Sequence, residues 1–229
     1  MISCITLFRK KEDIGVEQMK ELMAGDYANN CLRIPNLCSY EQNYVFLKEK
    51  GDASSEKYVS DAFTIERYET LYDYECAINS AAYQNVVKAR GEFADYTETF
   101  TCLENVSIPL RTKEKCNKKI SLLGRRVPEV SFEDYTRDWF VVHSGCMMKM
   151  PTDVFYGYNQ HLIIDRMING EHVSHEELPF DGILELFFSE AAKVAEAFAT
   201  TPEGQMTVSH RKEFMSSVDP FQVAFKVFK

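Results

Sequence analysis

The sequence lacks a membrane-length apolar segment and the motifs of several common enzyme classes. None of its 229 residues belongs to a run approaching the roughly 18 to 20 consecutive apolar residues that a membrane-spanning helix needs. The patterns G-x-G-x-x-G, G-x-x-x-x-G-K-[ST], G-x-S-x-G and H-E-x-x-H are all absent. The sequence therefore predicts no nucleotide, flavin or metal, and no cofactor. A haem held by a single histidine stays open, because it leaves almost no trace in a sequence.

Positive charge is in deficit, and the cysteines form no recognisable pairs. The chain has 26 Lys and Arg against 35 Asp and Glu, a formal net charge of −9, which argues against nucleic acid or an anionic membrane as partner. Seven cysteines without a C-x-x-C pair favour reduced thiols over disulfides or a zinc site. The N-terminal MISCITLFRKK has its apolar residues before its basic ones, the reverse of a secretory signal. We expect a cytoplasmic protein; homodimer formation is left open.

An internal similarity divides the chain into two halves and predicts a domain duplication. The predicted boundaries are 1–110 for the first repeat, 111–119 for a solvated basic linker, and 120–229 for the second repeat. The segment RYETLYD has an alternating pattern that predicts a strand. The aligned segments are 4–19 with 120–135, 35–43 with 153–161, 67–73 with 183–189, and 80–93 with 198–214.

Each half predicts the order strand, helix, strand, strand, helix, strand. The fold class is therefore α+β, with two fused ferredoxin-like βαββαβ repeats. Helices would cover one face of each sheet, so the other faces would pack together as an intramolecular α/β-barrel enclosing a cavity. Ser131 is the predicted N-cap of a helix. In the second half we expect strands near 120–125, 155–165, 181–188 and 221–228, and helices near 132–146, 189–200 and shortly after Thr201.

Several segments together resemble the EthD-like branch of the dimeric α/β-barrel superfamily. They are LFRKKEDI…PNL…Y in the first half and SFEDYTRDWFVVH…YNQH…FDGILELFF…TPEGQ…EF in the second. The resemblance covers nearly the whole chain. It implies a cavity on one face of the sheet, and its relatives include lactone isomerases, aromatic polyketide cyclases and dehydratases, and cofactor-free oxygenases. More distant relatives bind haem.

The single tryptophan and all five histidines lie in the second half. Tyr135, Trp139 and His143 follow one another at intervals of four residues, which places them on one stripe of a helix. Tyr27 occupies the position aligned with His143. We therefore expect one asymmetric pocket, with Tyr135 and Trp139 binding substrate and the first half supplying the other wall through Tyr27 and Tyr40.

His143 is the predicted general acid/base, because an imidazole both takes and returns a proton near neutral pH. The resemblance implies the same role. His161 or Tyr158 is expected to polarise a substrate carbonyl. These two residues lie three apart on a strand and should face opposite sides, and we favour His161. The alternative is that the aromatic stripe only packs a helix onto the sheet.

Asp181 and Glu185 should share a face of one strand as further substrate contacts. Each either orients a histidine or anchors a turn. His172 and His175 lie in a Gly- and Glu-rich stretch that predicts a solvated loop, not a metal site. His210 is predicted at the surface.

The combined pattern predicts an enzyme performing cofactor-free acid/base chemistry on a small aromatic or lactone-like metabolite. The reaction would be of lyase, isomerase or cyclase/dehydratase type. Two alternatives remain: a non-catalytic small-molecule binding or stress-associated protein, and a cofactor-free monooxygenase.

Overall fold

The protein has an α+β fold built on a closed antiparallel β-barrel. The computed structural model describes residues 1–49, 59–112 and 116–229. Within these ranges there are nine strands, and six helices lie outside the barrel. No helix in the described ranges is both long and apolar enough to cross a membrane.

Eight strands close the barrel in the order β4-β1-β3-β2-β9-β5-β8-β6, with β6 pairing back to β4. Residues 1–108 supply the order β4-β1-β3-β2, and residues 117–227 supply the equivalent order β9-β5-β8-β6. Every neighbouring pair is antiparallel. The strands are β1 Ile2–Lys10, β2 Ser39–Lys48, β3 Ala62–Tyr68, β4 Ala94–Ile108, β5 Asn117–Gly124, β6 Phe155–Ile168, β7 Glu171–His172, β8 Phe180–Phe188 and β9 Val218–Val227.

Eight α-helical segments make up the six helices of the described chain, because two π-helical turns each join a pair of segments. The turns are Met23–Tyr27 and Asp138–His143. The segments are α1 Val16–Leu22, α2 Ala28–Cys31, α3 Leu71–Ile78, α4 Ala81–Arg90, α5 Phe132–Arg137, α6 Ser144–Met147, α7 Ala191–Thr200 and α8 Pro202–Phe214. Ser131 accepts a hydrogen bond from the Asp134 amide and caps α5 as predicted.

Alternate strand residues separate a barrel core from three outer clusters, one in the first half and two in the second. The helices pack on the outer face of the sheet, so the barrel interior is free to fill with the inward-pointing side chains of all eight strands. The predicted cavity between two facing sheets is therefore a packed interior. Its apolar members are Ile5, Leu7, Phe63, Ile65, Phe100, Cys102, Ile120, Leu122, Ile163, Leu178, Phe180, Ile183, Phe221 and Val223.

Two predicted elements differ from the structure. The segment 67–73 is not a strand, since β3 ends at Tyr68 and α3 begins at Leu71. The Thr70 capping box starts that helix, and its signal outweighs the short alternating pattern. The basic stretch 111–119 is not wholly a linker, because its last three residues belong to β5. Residues 113–115 of that stretch lie outside the described ranges.

The two π-helical turns are secured in the same way in both halves. A π-helical turn leaves a backbone carbonyl without its usual partner in the helix. The side-chain amide of Gln42 donates to the Met23 carbonyl at 2.6 Å, and that of Gln160 donates to the Trp139 carbonyl at 2.7 Å. The shared Tyr-x-Gln pattern of the two halves thus holds the bend in each first helix.

Replacing Gly182 by alanine is expected to destabilise the second half. A Cβ at this position would lie 2.4 and 2.5 Å from two ring atoms of Trp139, which is fully buried. Overpacking of this kind costs about 1–3 kcal/mol. Thermal and urea unfolding measure the loss, with Gly145→Ala as the matched control because nothing lies within 4 Å of its Cβ. Equal stability of the two variants would contradict the close packing of Trp139 on β8.

Candidate functional site

A cavity of about 640 Å³ lies between the outer face of the second-half sheet and the helices that cover it. Strands β5, β6, β8 and β9 form one wall, and α6, α7 and α8 contribute to the other. Most of the lining is apolar. Its principal apolar residues are Met147, Leu184, Leu186, Val194, Phe198 and Val208. Among the described residues of the first half, Glu49 alone belongs to this lining, and the expected contacts Tyr27 and Tyr40 do not.

His143 ends the π-helical turn and lines this cavity. The side chain is 6% exposed, and no described residue forms a hydrogen bond with its Nδ1 atom. Burial, followed by the nearby His210 and Arg211, lowers its pKa to about 3. The imidazole is therefore neutral at physiological pH, and it offers a ring nitrogen that is able to accept a proton or a hydrogen bond.

Tyr158 lies next to His143 and lines the same cavity. The two ring centroids are 6.3 Å apart. Its hydroxyl accepts a hydrogen bond from the Trp139 indole at 3.2 Å. Burial raises its pKa to about 12, so the hydroxyl keeps its proton and is available as a donor. Of the two candidates for polarising a carbonyl, Tyr158 is the one that the structure brings to His143.

His210 is partly buried against His143, where the prediction placed it at the surface. Its ring stacks on that of His143, with centroids 5.7 Å apart and planes 20° apart. Phe214, one helical turn later on α8, contacts both imidazoles. Sequence reasoning missed this contact because α8 reaches His143 from about 67 residues further along the chain.

The rim of the cavity carries charge. Lys119 and Glu49 form an ion pair at 2.5 Å, and Gln222 donates to the other oxygen of Glu49 at 2.5 Å. Arg211 lines the cavity on the α8 side and its positive charge helps to keep His143 neutral. An apolar chamber with a neutral imidazole inside and a charged rim suits a largely apolar molecule with polar substituents.

His161 lies on the opposite face of β6, inside the barrel. Its Nδ1 atom is 2.8 Å from the Ser3 hydroxyl, and its Nε2 atom is 2.9 Å from Glu185. Both His161 and Glu185 are fully buried. His161 therefore does not share a cavity with His143, and the two do not act on one substrate atom. The predicted opposite orientation of Tyr158 and His161 holds, and between them β6 pairs with β8 in continuous register.

Glu185 is the centre of a buried ionic network inside the barrel. It contacts Lys118 and accepts from Arg67 Nη2 at 2.6 Å, while Arg67 Nε donates to Glu104 at 2.6 Å. Lys118 also contacts Glu41. Burial alone would raise the pKa of Glu185, but Lys118 and Arg67 more than offset this and hold the pKa well below its usual range.

The same network contains the cluster of metal-ligand types found in the described ranges, Glu104, His161 and Glu185. Their ligand atoms lie within 4.8 Å of one another. The guanidinium of Arg67 bridges the two carboxylates and already supplies the positive charge there. The residues are thus arranged for an internal ion pair, and we assign them no metal.

Asp181 and Glu185 point to the barrel side but serve different purposes. Of the two predicted roles, Glu185 has that of orienting a histidine, His161. Asp181 has that of anchoring a turn: it accepts a hydrogen bond from the Arg126 backbone amide at 2.7 Å and contacts His175 at 3.1 Å. Neither residue lines the cavity at His143.

The remaining predicted contacts are packed residues. Tyr135 and Trp139 are both fully buried, with ring centroids 5.7 Å apart, and neither lines the cavity. Tyr27 and Tyr40 lie in the outer core of the first half, where Tyr27 packs on Phe8. These two tyrosines are therefore not substrate contacts in the second-half cavity.

Comparison with known proteins places the chain by its fold. No family model matches the chain, and no curated protein matches it either. Among solved structures it is similar to a "putative monooxygenase" from Lactobacillus acidophilus, with a TM-score of 0.59 and 11% identity over 99% of this chain and 94% of the other.

Two further solved structures match over nearly their whole length. One is an "anthrone oxidase-like protein", with a TM-score of 0.63, 8% identity and coverage of 99% of this chain and 92% of the other. Another is a "putative monooxygenase" from Fusobacterium nucleatum, with a TM-score of 0.64, 8% identity and coverage of 99% and 93%. Together they define the class as barrel-type α+β proteins; at these identities the likeness concerns the fold alone.

Proposed function

We propose that the chain is a tandem of two ferredoxin-like repeats of EthD-like type, with the first repeat in 1–110 and the second in 120–229. The equal strand orders of the two halves and the paired π-helical turns support this proposal. In the first repeat, Tyr27 stands where the second repeat has His143, and its side chain packs into the core. The reactive site would thus belong to the second repeat alone.

We propose further that this site performs cofactor-free acid/base chemistry on a small aromatic metabolite. The observation that carries the proposal is the neutral His143 imidazole, buried beside Tyr158 in an apolar cavity of about 640 Å³. Such a cavity holds a bicyclic or tricyclic molecule. The lactone-like substrates that the EthD resemblance implies fit the same chemistry.

The step begins with a C–H that is acidified by a carbonyl, either directly next to it or conjugated with it through an aromatic ring. His143 takes the proton on a ring nitrogen, and the electron pair of the broken C–H bond moves into an enolate. The Tyr158 hydroxyl donates a hydrogen bond to the enolate oxygen, which stabilises the charge as it develops. The negative enolate in turn raises the proton affinity of His143 while the pair lasts. Return of the proton to a different carbon completes an isomerisation. In a lyase or dehydratase reaction the enolate electron pair instead expels a leaving group from the neighbouring carbon, and His143 gives its proton to that group.

Hydrogen exchange tests this proposal on a simple carbon acid. Anthrone has a carbonyl at C9 and an acidic CH₂ at C10, and NMR in D₂O under anaerobic conditions follows the loss of the C10 protons. We expect the protein to accelerate this exchange in proportion to its concentration. Binding of anthrone without accelerated exchange would favour the non-catalytic binding protein, and the absence of binding would exclude polycyclic aromatic ketones.

A cofactor-free monooxygenase is the second candidate. It shares the first step, because the enolate formed at His143 is the species that reacts with O₂. The fold likeness to proteins described as monooxygenases and as anthrone oxidase-like favours including it. An oxygen electrode separates the two: an oxygenase consumes one O₂ per anthrone, forming anthraquinone and water, at a rate above that of the buffer. Accelerated exchange without accelerated uptake leaves the isomerase or lyase.

A further inference from the structure

A second cavity, of about 500 Å³, lies where β5 ends and β8 begins. Its lining comes from β6, from the start of α5 and from the loop that precedes β8. It shares no lining residue with the cavity at His143. The lining consists of Arg126, Phe132, Ile163, Ile164, Arg166, His175 and Asp181.

Positive groups outnumber negative ones around this cavity. Arg126 and Arg166 line it, and Asp181 is the one acid among the described lining residues. Burial lowers the pKa of His175, which favours its neutral form. Asp181 is already engaged by the Arg126 amide, the Arg126 guanidinium at 3.5 Å and His175 at 3.1 Å. The carboxylate of Asp181 is therefore committed to Arg126 and His175.

Arg166 is the cation with the fewest contacts. Its Nη2 atom donates to the Phe180 carbonyl at 3.3 Å, and its buried Nε atom has no hydrogen-bond partner. Within the described ranges Arg166 forms no ion pair at salt-bridge distance. Asp181 and Asp165 act on the Arg166 guanidinium only from beyond ion-pair distance. A partly buried guanidinium without a direct ion pair is an uncommon arrangement, because a buried charge is normally paired. The surroundings of Arg166 are therefore suited to a bound anion.

The apolar walls of the cavity indicate which kind of molecule could carry the anionic group. Ile163, Ile164 and Phe132 present apolar surface, and the Arg126 guanidinium lies 5.8 Å from the Phe132 ring centroid. A doubly charged phosphate would be repelled by Asp181 more strongly than a singly charged carboxylate. A flat apolar molecule with one carboxylate matches both the positive charge and the apolar lining of the cavity.

We propose that this second cavity binds an aromatic or similarly apolar monocarboxylate, with its carboxylate held by the Arg166 guanidinium fork. The site is separate from the cavity at His143. Its ligand need not be the molecule on which His143 acts.

Benzoate is the probe, and benzamide is its uncharged counterpart. Titration followed by the arginine Nε–H signals in ¹H–¹⁵N NMR spectra is expected to show saturable movement of the Arg166 signal with benzoate and none with benzamide. Arg166→Gln is expected to weaken benzoate binding at least tenfold. Arg137→Gln is the matched control, since that guanidinium is exposed and pairs with Asp134 and Asp138 on the helix surface; its benzoate affinity should stay unchanged.

A second variant keeps the test decisive if Arg166→Gln fails to fold. Ile164 is 42% exposed, so Ile164→Asp should fold, and its carboxylate at the cavity wall should weaken benzoate binding at least tenfold. The proposal is overturned if benzoate leaves the Arg166 signal unmoved. It is equally overturned if both variants bind benzoate like the wild type while His143→Leu abolishes binding, which would place the benzoate in the other cavity.

Discussion

Replacing Lys118 by methionine is expected to lower the free energy of unfolding by about 3–5 kcal/mol. Lys118 is buried inside the barrel and contacts both Glu41 and Glu185. Methionine has a similar length but no charge, so the substitution leaves two buried carboxylates with only Arg67 and neutral donors near them. Removing one partner of a buried ion pair lowers the stability far more than replacing both partners by apolar residues, because the remaining charge stays desolvated.

The adjacent residue supplies the control. Lys119 points to the outer face of the same strand and pairs with Glu49, and both side chains are partly exposed. Lys119→Met should therefore cost about 1 kcal/mol or less. Denaturant unfolding of the two variants measures the difference. Similar losses for Lys118 and Lys119 would mean that the buried network adds nothing beyond a surface pair, and a partial rescue of Lys118→Met by Glu41→Gln would support the network.

The pH dependence of the Lys118→Met defect follows from the lowered pKa of Glu185. A carboxylate whose folded pKa lies below its unfolded value stabilises the fold fully above the unfolded pKa, about 4.3, and loses this contribution as the pH falls further. Without Lys118 the folded pKa of Glu185 rises toward the unfolded one. We therefore expect the stability difference between wild type and Lys118→Met to be largest near neutral pH and to shrink below about pH 4.

Replacing His143 by leucine is expected to slow anthrone exchange by about 10²–10⁴-fold without lowering the melting temperature. His143 is buried, and its Nδ1 atom lacks a hydrogen-bond partner among the described residues. Replacing such a group by an apolar one of similar size is close to neutral or stabilising. A histidine held only for structure would behave in the opposite way, with a lower melting temperature. Unchanged exchange in the leucine variant would remove His143 from the reaction.

Lowering the pH should shift the difference in stability between the wild type and His143→Leu in favour of the variant. The folded pKa of His143, about 3, lies below the unfolded value of about 6.5. Between these values the unfolded chain binds a proton that the folded chain does not, so the wild type loses stability as the pH falls below about 6.5. His143→Leu has no such loss. Melting temperatures at pH 7 and pH 5 should therefore shift in favour of the leucine variant at the lower pH.

The second-half elements were predictable because local signals define them. The periodic apolar pattern, the Ser131 cap and the Thr201-Pro202 helix start all lie within a few residues of the boundaries they set. The register of the repeat was harder to predict. The sequence alignment of the two halves pairs Cys4 with Ile120, but Cys4 faces the helices and Ile120 faces the barrel interior. The alignment is therefore shifted by one residue in this strand. A strand has a period of two, so a slip of one residue exchanges its faces.

Lys118 and His210 show what a single sequence does not contain. Lys118 sits in a basic stretch without apolar periodicity, and only its distant partners Glu41 and Glu185 reveal why a lysine is buried. His210 meets His143 because α8 folds back over α6. Both contacts join residues far apart in the chain, and neither leaves a local pattern. The position of the cavity outside the barrel also leaves no local pattern, because it depends on how the helices cover the sheet.

The most direct measurement is a crystal structure of the protein with 2-naphthol, whose phenol is a stable stand-in for an enol. The proposed function predicts density in the cavity at His143, with the naphthol oxygen within hydrogen-bond distance of a His143 ring nitrogen and the rings against Leu184 and Leu186. A cavity without naphthol at saturating concentration, or naphthol bound with its hydroxyl turned away from His143, would contradict the assignment of His143 as the base.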